Sequence, residues 1–210
     1  MDDCQGTATL RPSALYICYM SVREPLIQTQ VLPYLRALSD SYQIVLLSFE
    51  TTEEDDTGWT ERLGAQGIHW EHLRYHKGLP KTMYDIANGA RTVRRLHRKW
   101  NFRLLHARSH VPMLMATLAR TGAKLLFDIR GFFPEEYVDM GLWPAGGALY
   151  RGTKVVEKRL LAAADGFVVL TTPAKEALFA EESRPVEVIP CCVDLERFRA
   201  AQALNRDALR

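Results

Sequence analysis

Seven short apolar runs recur along the chain: Leu15 to Tyr19, Gln43 to Phe49, Ile68 to Leu73, Leu104 to Ala107, Lys124 to Ile129, Phe167 to Leu170 and Val186 to Ile189. Helix-length amphipathic segments separate most of them, a rhythm that predicts strands alternating with helices. IVLLSF (44–49) and GFVVL (166–170) are apolar with little alternation, as strands covered by helices on both faces are. The predicted fold class is α/β, with a doubly wound, mainly parallel Rossmann-like sheet whose central strands include 15–19, 104–107 and 124–129. Ile27, Val31, Leu35 and Leu38 share one helical face; Pro25 suits a first turn, while Pro33 removes a backbone donor and predicts a kink or a shorter helix. A helix is predicted over 147–164 with a stripe of Leu149, Val156, Leu160 and Ala163, a short one over 111–120, and another opened by Thr172 as N-cap and Pro173. Residues 51–58 read as a polar surface loop.

Of 210 residues, 47% are apolar and 25% charged, which suits one globular domain and excludes disorder, collagen and coiled coil. At this size folding buries roughly 70% of the unfolded surface, so neither a disulfide nor a structural metal is needed for stability. Twenty-seven basic against 25 acidic residues leave a net charge of +2, too balanced for a nucleic-acid partner. No stretch free of Asp, Glu, Lys and Arg exceeds 11 residues, whereas a bilayer span needs roughly 20 apolar ones. The start, Met1-Asp2-Asp3-Cys4, lacks a basic, apolar leader, so a cytoplasmic location is expected. Cys4, Cys18, Cys191 and Cys192 show no zinc spacing and read as reduced thiols.

Ligands of open parallel sheets bind at the carboxyl ends of the strands. Those ends carry Ser21, Arg23 and Glu24; Arg108, Ser109 and His110; Asp128, Arg130, Gly131, Glu135 and Glu136; and Thr171 and Thr172. Arginine forks, hydroxyls and backbone N–H groups of this kind suit polyhydroxyl or phosphate groups, although any one of these residues can be an ordinary loop residue. The first strand end has neither G-x-G-x-x-G nor a P-loop, there is no G-x-S-x-G elbow, and the six histidines show no metal-ligand spacing. His69, His72 and His76 straddle a strand and its exit loop and read as ordinary surface or core histidines. Lys81 to Arg103 reads as a basic amphipathic helix, with Arg91, Arg94, Arg95, Arg98 and Lys99 opposite Met83, Ala87, Ala90, Val93, Leu96 and Trp100. Its basic face is either solvated or docks on anionic headgroups or a phosphate-bearing acceptor.

SVREPLIQTQVLPYLRAL (21–38), LLHARSH (104–110), FDIRGFFPEE (127–136), ADGFVVLTTPAKEAL (164–178) and VEVIPCCVDLERF (186–198) together resemble the N-terminal half of family-4 glycosyltransferases. The last segment is similar to that family's V-I-P-N-G-V-D…F, with Cys191 and Cys192 in place of Asn-Gly. The resemblance implies the acceptor-side domain of a GT-B fold over 1–190, with 191–210 as linker and start of a missing donor-binding domain in the same or a neighbouring chain. It further implies a retaining, metal-independent transfer from a UDP- or GDP-sugar co-substrate to a glycan or lipid-linked acceptor, with no cofactor held by this domain; peripheral membrane contact is the docking reading of the basic helix. The family's glycine pair after the first strand is missing, and Arg130 stands where other members often place a histidine. Arg130 stays protonated and cannot act as a general base. No catalytic residue is assigned. The alternative is a noncatalytic glycan- or phosphate-binding scaffold of the same fold.

Overall fold

The computed structural model describes residues 11–52 and 56–191. Cys4, Cys192 and the expected linker, apart from Cys191, lie outside the described residues. Strands β1 (Ser13–Cys18), β2 (Gln43–Glu50), β3 (Ile68–Arg74), β4 (Leu104–Arg108), β5 (Lys124–Asp128), β6 (Gly166–Val169) and β7 (Val186–Val188) form one sheet, ordered β3-β2-β1-β4-β5-β6-β7. Every pairing is parallel. The expected α/β class and the central position of β1, β4 and β5 are both found.

Right-handed crossovers explain the layers. The chain winds from β1 outward to β3, which places α1 (Pro25–Gln30), α2 (Leu32–Leu38) and α3 (Asp56–Ala65) on one face. It then crosses back through α4 (Leu79–Trp100) and winds the other way, so α5 (His110–Ala119), α6 (Phe133–Asp139), α7 (Ala148–Ala163) and α8 (Thr172–Phe179) belong to the opposite side. β1 shows the division residue by residue: Leu15 and Ile17 enter the α4/α5 core, whereas Tyr16 and Cys18 enter the α1/α2 core. α4 and α5 approach closely because Gly89 has no side chain; a Cβ there would stand 2.5 Å from Met115 Sδ.

Pro33 does divide the first helical segment, and Val31 separates α1 from α2. Four local expectations fail. The polar stretch after β2 is not all loop, since α3 begins at Asp56. The cap of α8 is Thr171, whose hydroxyl accepts from Ala174 N at 3.2 Å, one residue before the expected Thr172. In α7 only Leu160 is buried, while Leu149 and Val156 are exposed, because this helix packs chiefly on α5 and α6. Met83 is likewise exposed: the buried stripe of α4 starts at Asp85 and Ile86 and continues through Gly89, Ala90, Val93 and Leu96.

Candidate functional site

β1 and β4 part at the point where the winding direction reverses, the position at which an open α/β sheet leaves a crevice. The register sets Tyr16 beside His106, Cys18 beside Arg108, and Arg108 beside Asp128. With a period of two, these side chains share the α1/α2 face. The helices of that face cover β1 to β3, and the part over β4 to β7 borders a cavity of about 510 Å³. Leu35, Leu104, Leu126, Val168 and Ile189 make its apolar wall; Tyr16, Gln30, Tyr34, His106, Asp128 and Arg130 bring polar groups to it.

Asp128 is the hub of this polar group. It is 2% exposed, with Oδ1 at 3.5 Å from Arg130 Nε and Oδ2 at 3.4 Å from His106 Nε2 and 3.8 Å from Arg108 Nη1. The His106 ring meets Tyr16 edge-on at 4.6 Å and stacks on Tyr34 at 6.4 Å. Among the described residues, Tyr16 Oη, Tyr34 Oη, Gln30 Oε1, Arg108 Nη1 and Asp128 Oδ1 are buried without a hydrogen bond. Such an orphan costs about 1–3 kcal/mol, and the ion pairs of Asp128 with Arg108 and Arg130 offset part of that cost.

Burial, followed by the Asp128 charge, pushes the Tyr16 hydroxyl well up. Burial and Tyr16 do the same to Tyr34, and burial raises the Cys18 thiol to about 12. Burial pulls the Arg108 guanidinium down, but Tyr16, Cys18 and Asp128 more than offset it and the net shift is upward. Near neutral pH both tyrosines are therefore neutral donors and Arg108 a fixed cation. Ser109, next in the chain, has φ +75° and ψ 179°, a conformation otherwise left to glycine, and its N–H donates to Asp128 O at 2.8 Å.

The other sequence candidates fall into separate clusters. Ser21 and Arg23 belong to a network around Glu50, which is 1% exposed. Ser21 and Ser48 hydroxyls donate to it, as do Val22 N at 3.0 Å and Arg23 Nη1 at 2.7 Å, while Arg23 Nη2 reaches Asp56 at 2.6 Å. Burial lowers Arg23, and Asp56 and Glu50 raise it further, giving a net rise. His110 lies on the opposite side of the sheet, between Phe127 and Phe133, with Nε2 at 3.3 Å from Glu157. Glu135 joins that cluster through Lys154 at 2.9 Å. Gly131 leaves space for Glu136, whose Oε1 would stand 2.0 Å from a Cβ. Thr171 is the helix cap described above. The structure thus brings together Arg108, Asp128 and Arg130, and adds Tyr16, Gln30, Tyr34 and His106, which sequence reasoning missed. A signal existed for one of them: in LLHAR, His106 alternates with apolar residues as the expected Arg108 does.

Along α4, Arg91, Arg94, Arg95, Arg98 and Lys99 are all exposed. Arg94 donates to the last carbonyls of α5, Ala119 O at 2.9 Å and Leu118 O at 3.2 Å, and Arg95 pairs with Glu71 at 3.1 Å. Among the described residues no helix is long and apolar enough to cross a membrane, and no three His, Cys, Asp or Glu side chains gather as a metal-ion site.

A family model described as Glycosyltransferase Family 4 matches residues 27–197, most of the sheet and all the strands of the cavity except β1. The chain belongs to glycosyltransferase family 4. No curated protein matches this family-4 chain in sequence. Among solved structures, sucrose-phosphate synthase from Thermosynechococcus elongatus is similar with a TM-score of 0.61 at 13% identity, over 89% of this chain and 49% of that one. A shorter chain of the same synthase gives 0.53 at 15%, over 95% and 99%. A UGT transferase from Siraitia grosvenorii in complex with UDP gives 0.52 at 12%, over 84% and 50%. The family-4 chain spans about half the length of the full synthase and of the Siraitia enzyme. Its sheet is the Rossmann-like half of a GT-B fold.

Proposed function

We propose that this family-4 chain is the acceptor-side half of a glycosyltransferase that moves a sugar from a nucleotide-sugar to a glycan or lipid-linked acceptor, with retention of configuration and without a metal ion. One observation carries the reading. Buried polar atoms of Tyr16, Gln30, Tyr34, Arg108 and Asp128 that lack an ordinary hydrogen bond cluster toward the carboxyl ends of β4 and β5, beside a cavity with apolar walls that Asp128 and Arg130 border. A sugar hydroxyl both donates and accepts, so it suits the polar groups that border the cavity, Asp128, Arg130 and His106 among them. The UDP bound by the Siraitia transferase supports a nucleotide-sugar as co-substrate. In this proposal residues 1–190 form the acceptor-side domain, and 191–210 lead to a donor-binding domain in the same or a neighbouring chain.

The chemistry assigns modest but definite work to this half. Glycosyl transfer develops positive charge at the anomeric carbon and negative charge on the departing diphosphate, and fixed charges in a dry cleft stabilise both. Arg108 and Arg130 remain cationic and cannot remove a proton. Their contribution is to hold the acceptor in line for attack, an effect that grows large when water is excluded. The exposed Arg91, Arg98 and Lys99 fit a peripheral location on the inner face of a membrane, at about 1 kcal/mol per basic residue near anionic lipid.

The test incubates the full-length protein with UDP- and GDP-sugars and a mixture of glycans and extracted lipids, and follows products by mass spectrometry. A mass increment of one glycosyl unit on an acceptor supports the proposal. No transfer from any sugar nucleotide favours the noncatalytic scaffold.

A further inference from the structure

A second group at the carboxyl edge plays no part in the cavity. Asp85, in the second turn of α4, is 1% exposed and faces the ends of β1 and β3. Its Oδ2 accepts from Tyr19 Oη at 2.8 Å and from His76 N at 3.0 Å, and its Oδ1 lies 2.7 Å from His76 Nδ1. A carboxylate accepts, so Nδ1 carries a ring proton, and in the neutral imidazole Nε2 keeps a lone pair. Burial and the bond to Asp85 push the Tyr19 hydroxyl well up, which keeps it a neutral donor to Asp85.

The other side of the imidazole is open. The His76 side chain is 35% exposed, and Tyr84, 58% exposed, meets its ring edge-on at 5.6 Å. Asp85 therefore sets the orientation of the imidazole through Nδ1 in addition to accepting from the loop backbone at His76 N. Beside it stands an exposed aromatic face of the kind that stacks on the C–H face of a pyranose.

We propose that His76 and Tyr84 form a sugar-binding subsite for the acceptor. His76 Nε2 accepts a hydrogen bond from an acceptor hydroxyl, Tyr84 lies against the ring, and Asp85 with Tyr19 positions the imidazole. The ligand class is a neutral polyhydroxyl ring, as found in a glycan or in the glycan part of a glycolipid. The inference rests on the transferase reading and extends it to a subsite on the opposite face of the sheet from the cavity.

The test uses the full-length protein and the acceptor identified by the transfer assay. His76→Ala is expected to raise the acceptor KM about tenfold, the loss of one hydrogen bond, with kcat and the nucleotide-sugar KM within about twofold. His76→Gln, whose amide oxygen can still accept, recovers most of that loss. Tyr84→Ala raises the same KM, and Tyr84→Phe leaves it unchanged. If wild-type protein transfers sugar but folded His76→Ala keeps its acceptor KM, or if kcat falls with KM unmoved, the subsite is wrong and the transferase reading stands. If wild-type protein transfers nothing, the transferase reading fails and the subsite falls with it.

Discussion

Replacing Glu50 by Gln changes one buried atom and the charge while keeping the shape. Glu50 Oε1 accepts from Val22 N and Ser48 Oγ, and Oε2 from Ser21 Oγ and Arg23 Nη1. The amide supplies only one acceptor oxygen, so its NH2 group must face two donors. Where it faces Val22 N and Ser48, the serine hydroxyl can rotate but the backbone N–H cannot, leaving an orphan worth about 1–3 kcal/mol. Where it faces Arg23 and Ser21, a charge-assisted bond worth about 1.5–3 kcal/mol is lost, and Asp56 at 2.6 Å recovers part of it. Either orientation costs about 1–3 kcal/mol. At about 2–4 °C per kcal/mol for a chain of this size, the melting temperature drops by about 2–12 °C in thermal unfolding followed by circular dichroism. Arg23→Gln in the same background should be sub-additive, since both changes break one ion pair. A melting temperature within about 1 °C of wild type would refute the assignment of Ser21 and Arg23 to a structural network.

Two further outcomes check other parts of the account. Burial raises Glu157, but His110 and Lys154 outweigh it and hold the carboxyl below its ordinary range; the resulting stabilisation is full above about pH 4.3 and is lost as pH falls through the depressed value. The melting difference between wild type and Glu157→Gln should therefore shrink between about pH 6 and about pH 3, and a constant difference contradicts the ion-pair assignment. Charge reversal at Arg91, which is outside the last turn of α4 and away from Arg94 and Arg95, should reduce flotation with anionic liposomes at an unchanged melting temperature, while reversal at Arg98 and Lys99, in that last turn, also lowers the melting temperature through the helix dipole; unchanged flotation in all three removes the membrane contact.

The strands were legible because each apolar run is long enough to cross a sheet and lies between helix-length segments; Pro33 could be read because its missing N–H acts locally. What failed depended on tertiary placement. Leu149 and Val156 have helical spacing, but α7 packs chiefly on α5 and α6, and periodicity cannot say how far a stripe is covered. The strand-end rule gathered polar residues on the right edge of the sheet, yet could not sort Arg108, Asp128 and Arg130 from Ser21, Arg23 and His110, because that depends on the face each side chain takes. Tyr16 and His106 were hidden inside apolar runs. Glu50 and Asp85, the two buried carboxylates that anchor the loops, gave no sequence signal at all, since nothing local distinguishes them from surface acids.

The most direct measurement of the central claim is sugar transfer by the full-length protein carrying Arg130→Lys, compared with wild type under the same acceptor and nucleotide-sugar. Arg130 is 16% exposed, meets Asp128 at 3.5 Å and borders the cavity; lysine keeps the charge but loses the planar fork. The account predicts transfer reduced by at least about tenfold, one hydrogen bond's worth, at a melting temperature within about 2 °C of wild type. Full activity, or a large fall in melting temperature, would contradict a site for the acceptor at Asp128 and Arg130.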